Sequence, residues 1–125
     1  MKITFETLHN SWDALLKLCA APMPDPVVAL RLRLFWLAAA PKYNAFSEGL
    51  IPLMLQHGAT QVGPQLVVPA ENLAEFRIQA KSLFVEEVEL PDLKLKISTL
   101  PRGVFSAFDL DRLTWLIDLK EEQKT

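Results

Sequence analysis

Apolar side chains recur at spacings of three and four from Phe5 through Leu8, Trp12, Leu15, Leu16 and Cys19. That period puts them on one stripe of a helix of about fifteen residues, with Thr4 placed to cap its start. Pro22, Pro24 and Pro26 then end this helix and restart the chain. Asp25 stands where an N-cap is wanted, and Pro26 takes the first helical position, where a missing N–H is not felt. From Val27 to Ala40 almost every position except Arg31 and Arg33 is apolar. A helix that is apolar on most of its sides belongs at the centre of a fold, so this one is expected to be buried there, and in any case to be enclosed either by its own fold or by another chain. The period continues past Pro41 through Tyr43, Phe46, Leu50, Leu53, Met54 and His57 to Gly58, a residue suited to the turn that follows a helix. Pro41 and Pro52 each remove a backbone donor, which predicts one kinked long helix or two consecutive ones.

Residues 59–64 form a turn-rich link, and Gln65 to Val68 is long enough for a short strand. Pro69 opens a third helix with Leu73, Phe76, Ala80 and Leu83 on one face and Glu71 and Glu75 near its positive end. Phe84 to Leu90 and Leu93 to Ile97 have the character of strands, and Pro91-Asp92 between them is a good type I turn pair, so a hairpin is expected. Across it Lys94 and Lys96 would face Glu86, Glu87 or Glu89, each pair contributing ~0.2–1 kcal/mol. Ser106 and Asp109 fit a capping box for a last helix bearing Leu110, Leu113, Leu116 and Ile117. The expected fold class is therefore α+β and mainly α: four to five helices around a central apolar helix, with a small antiparallel β-hairpin or sheet. Neither an internal repeat nor a boundary divides residues 1–119, which read as one globular domain, and 120–125 read as a polar tail.

Composition adds one consideration to this pattern. Hydrophobic residues make up 50% of the chain at a mean hydropathy of +0.18. The excess is either a dense core or a surface for self-association or a partner. Arg31 and Arg33 lie on differing faces of an otherwise apolar helix, so at least one of them is expected to reach solvent or an acidic partner. With Phe35, Trp36, Tyr43 and Phe46 they make the candidate protein interface. Thirteen basic side chains nearly balance fifteen acidic ones, and no segment gathers the basic ones into a phosphate-tracking stripe, so nucleic acid is not an expected partner. The longest apolar run is interrupted by Arg31 and Arg33 and is shorter than the ~20 residues of a membrane span, so no membrane association is expected. The first residues lack a basic region followed by an apolar stretch, which predicts no secretory signal, and a lone Cys19 suits a reducing compartment. The expected location is the cytoplasm.

Candidate chemistry is sparse. The two histidines, His9 and His57, fall on different predicted helices with one distant cysteine, so no metal ligand set is expected. His9 and Asp13 are four apart and could pair as an oriented base, but that spacing fits a solvated helix face better. Cys19 sits on an apolar stripe and reads as a small buried hydrophobe. The four glycines are too scattered for a phosphate-cradling loop, and no Gly-x-Ser-x-Gly elbow occurs. Glu86, Glu87, Glu89, Asp109 and Asp111 fit cross-strand and helix-dipole roles, and Trp12, Trp36 and Trp115 fit packing. No catalytic, metal-binding or cofactor-binding residue is expected, and no cofactor.

The order of these signals resembles small uncharacterised accessory proteins of tailed bacteriophages and prophages. It is carried by the Pro-x-x-Val start to a long helix ending in glycine (Pro24 to Gly58) and by Val-Pro-x-Glu-Asn-Leu-x-Glu-Phe (Val68 to Phe76). A Glu-Val-Glu strand (Glu87 to Leu90) and an Asp-Leu-x-x-Leu helix (Asp109 to Ile117) complete it. Pro41, Pro52 and the scarcity of charge on the long helix depart from that pattern and favour a helix buried against something. The resemblance implies no catalytic residues, and it implies a setting in an infected bacterial cytoplasm or a virion. Together these readings point to a non-enzymatic accessory protein that binds itself or a bacterial host protein. The alternatives are a structural or assembly component of a virion and a small enzyme of unrecognised type.

Overall fold

The Thr4 hydroxyl accepts from the Thr7 amide and so ends a three-residue strand, β1 (Lys2–Thr4), and starts α1 (Phe5–Ala20). In this computed structural model, residues 1–118 are described. The expected polar tail at 120–125 lies outside them. Asp25 caps the next helix through the Val27 amide at 2.9 Å, with Pro26 at its first position. The helix, α2 (Pro26–Gln56), then runs unbroken for 31 residues, about 46 Å. Pro41 and Pro52 both sit inside it at exposed positions, where water reaches the carbonyls that lose an amide partner. Gly58 takes φ +78 just beyond its end. A side chain there would also crowd Asn72, whose Nδ2 donates to the His57 carbonyl at 2.9 Å.

The chain next forms a hairpin of β2 (Thr60–Val62) and β3 (Gln65–Val67), closed by Gly63 and Pro64. Gly63 has φ +60, the sign that a two-residue type II′ loop requires of its first residue. Pro69 precedes α3 (Ala70–Phe84), and β4 (Glu87–Glu89), β5 (Leu95–Lys96), α4 (Ala107–Arg112) and β6 (Ile117–Asp118) follow. The Ser106–Asp109 capping box forms at α4 with both of its bonds present. Asp109 Oδ2 also accepts from Lys17 Nζ at 2.7 Å, and that bond, with the Ser106 amide, holds the carboxyl below its usual range. The architecture is α+β and mainly α, with three two-stranded sheets among the described residues.

Two expectations about local pairing are corrected. No hairpin turns at Pro91-Asp92. β4 pairs antiparallel with β1, placing Lys2 opposite Glu89, while β5 pairs parallel with β6, Leu95 opposite Ile117. Leu90 and Leu93 on either side of that dipeptide are both buried while Pro91 and Asp92 are exposed, so the link runs over the surface of the core from one sheet to the next. The ladder neighbours expected for Lys94 and Lys96 are therefore not the glutamates of β4. The last helix is also shorter than expected. It stops at Arg112, and Leu113, Leu116 and Ile117 enter the core from turns and from β6.

Two packed clusters result. Leu8, Leu15 and Leu18 of α1 meet Leu32, Phe35 and Ala39 of α2, and the segments around β4, β5 and β6 close over them. Phe46 and Leu50, farther along α2, pack on Ala80 of α3 with Phe5, Phe76 and Phe84. In both clusters α2 contributes one side only. The expected enclosure of this helix by the rest of the fold is thus corrected: neighbours cover its inner face and leave the outer one bare.

Candidate functional site

The apolar residues of α2 divide into two series. Leu32, Phe35, Ala39, Phe46 and Leu50 point inward. Val27, Leu30, Leu34 and Leu37 point outward and are 54%, 58%, 56% and 54% exposed. The outer four repeat at three, four and three, and on a helix of 3.6 residues per turn they fall within an arc of about 80°. Their spacing is that of the a and d positions of a heptad. Pro41, Asn44 and Glu48 carry the same spacing on as a polar interval, and Ile51 and Leu55, also exposed, resume it. Fully burying a leucine or valine contributes ~1.5–3 kcal/mol. With about half of each side chain in water, roughly half of that is unrealised at every one of the four positions. Scattered surface leucines are ordinary, but a contiguous seam of them is the feature of an interaction surface.

Arg31 and Arg33 flank this seam about 80° to either side, at the e and g positions of the same repeat. Both are exposed. The other four aromatic residues expected at the interface lie elsewhere. Phe35 is 1% and Phe46 7% exposed, so both belong to the interior, because they fall on the inner series. Trp36 and Tyr43 are half-buried in a ladder of rings between α1 and α2. Trp36 lies 5.1 Å from Trp12, Trp12 stacks on Tyr43 at 3.9 Å, and the Tyr43 hydroxyl is 2.9 Å from His9 Nδ1. Burial first, and the charge of Asp13 second, push the Tyr43 phenol above its ordinary value. His9 is thus engaged with Tyr43, and its ring also meets Phe84 edge-on at 5.5 Å.

Beside the seam, Leu16, Cys19, Met23, Leu32, Arg33 and Trp36 line a cavity of about 330 Å³ between the end of α1 and the start of α2. Burial pushes the Cys19 thiol up to about 11, so it stays protonated and unreactive near neutrality. Among the described residues no group of three or more His, Cys, Asp or Glu is placed to hold a metal ion, and no helix is long and apolar enough to cross a membrane.

No protein-family model, curated protein or solved structure matches this chain. The site is therefore defined by its own geometry. Sequence reasoning found its two arginines and missed Val27, Leu30, Leu34 and Leu37, whose three-four spacing was readable within the longer apolar run.

Proposed function

We propose that this chain is a non-enzymatic accessory protein of the phage or prophage type that works by binding another protein through the outer face of α2. The observation that carries the reading is the exposed seam Val27-Leu30-Leu34-Leu37, a helix-pairing pattern that nothing in the chain's own fold covers among the described residues. The motif order described above supports the phage setting, and with it a bacterial cytoplasm as the place of action. The partner of this reading is a host protein or a second copy, and no residue of the chain performs chemistry in it.

The test compares the wild-type chain with a Leu30→Glu, Leu34→Glu double variant, each immobilised and exposed to bacterial extract. Exposed positions tolerate the change, so both proteins should show the same helical circular dichroism and the same melting temperature to within a few degrees. Proteins retained by the wild type and lost from the variant support the reading. Identical retention by both contradicts it.

A further inference from the structure

We propose that the surface matching this seam is an amphipathic helix with leucines at its own a and d positions and acidic residues on both of its flanks. The inference rests on the reading that α2 binds a protein, and it names the chemistry of the partner. A seam repeating at three and four aligns continuously with a second helix crossing at a shallow angle, which is the packing that this period serves. A strand offers side chains at a period of two and would leave half of the seam unmatched. The occupant is a helix.

Its charge follows from the flanks. Across the stretch from Pro26 to Ala40 the e and g positions are held by Pro26, Arg31, Arg33, Ala38 and Ala40. Three of these are small and uncharged, so the two arginines alone set the sign on either side of the seam. Neither arginine takes part in an ion pair or hydrogen bond among the described residues, unlike Lys17, which binds Asp109, and Lys42, which donates to the Glu89 carbonyl. Charges at these positions choose partner and orientation in paired helices, and both sides here ask for carboxylates. A second copy of α2 meets that demand poorly. Antiparallel pairing centred on the four apolar residues brings Arg31 near Arg31 and Arg33 near Arg33, while in-register parallel pairing puts Glu48 against Glu48 within the seam. The polar interval at Pro41, Asn44 and Glu48 limits the matching segment to about two heptads, ~20 Å of helix.

The experiment uses the full chain and two labelled synthetic peptides of about four heptads. Both carry leucine at a and d; one has glutamate at every e and g position, the other lysine. Binding is read by fluorescence anisotropy in ~0.1 M and in ~1 M salt. The proposal expects the glutamate peptide to bind at least about tenfold more tightly in low salt, with the preference shrinking in high salt. It also expects Arg31→Glu with Arg33→Glu to invert the preference, and Leu30→Glu with Leu34→Glu to abolish binding of both. Equal binding of the two peptides, or a lysine preference, overturns the proposal. If the leucine variant still abolishes that binding, the reading of α2 as a protein-binding face survives. A sedimentation profile showing a dimer that the leucine variant dissolves also overturns it, since the occupant is then a second copy. Binding of neither peptide overturns it as well, and coupled with extract proteins retained equally by wild type and leucine variant, it removes the protein-binding reading too.

Discussion

Ser11 is the single buried polar residue in the described part of the chain, and its oxygen joins three segments. It accepts from Trp115 Nε1 at 2.9 Å and lies 2.6 Å from the Thr7 carbonyl and 2.9 Å from that of Arg112, donating its one hydrogen between them. Ser11→Ala removes that acceptor and donor together, and is expected to destabilise the fold by ~1–3 kcal/mol in urea unfolding. A change under ~0.5 kcal/mol would mean that water replaces the hydroxyl. Nothing local in the sequence marks this residue, because its partner stands 104 positions away. Cys19 was legible in part: the apolar stripe predicts a buried thiol, and the side chain is half-buried on the wall of the cavity between α1 and α2. Its thiol, raised to about 11, retains its proton where the unfolded thiol, near 8.5, has lost one. The unfolded state therefore binds fewer protons above pH ~8.5, and this residue's contribution to stability falls as pH rises through that window toward 11. Iodoacetamide at pH 8 should modify Cys19 much more slowly in the native protein than in urea. Equal rates would contradict the partial desolvation that raises the thiol.

Among the elements, those whose signals are local agree with their sequence. Thr4, Asp25 and the Ser106–Asp109 box stand at the helix ends where their side-chain oxygens put them, and Pro26, Pro69 and Gly58 where their backbone preferences do. The strands behave differently. Glu87–Glu89 and Leu95–Lys96 were expected to pair with each other across a convenient turn, yet they pair with the two ends of the described chain. A short strand with one buried face gains as much from any extended neighbour that completes the core, and a dipeptide turn signal cannot weigh that alternative. The long helix shows the same limit in another form. Its almost continuous apolar sequence contains two interleaved series, Leu32-Phe35-Ala39 and Val27-Leu30-Leu34-Leu37, and periodicity alone does not say which one the fold uses. Phe35 and Phe46 were expected at the interface, but they pack in the two clusters with α1, α3 and the strands.

At the scale of the whole molecule, the apolar excess seen in composition has a location. Part of it fills the two clusters, and part lies along the outer edge of one 31-residue helix, flanked by two exposed arginines. That division is the central claim, and neighbouring positions on α2 test it. Leu34 and Phe35 are adjacent in sequence and opposite in environment, 56% and 1% exposed. Equilibrium urea unfolding of Leu34→Ala and Phe35→Ala should separate them: the first within about 0.5 kcal/mol of wild type, the second destabilised by ~3–5 kcal/mol. A Leu34→Ala loss of ~2 kcal/mol or more in the isolated chain would show that its own fold encloses this side chain, and would contradict the account.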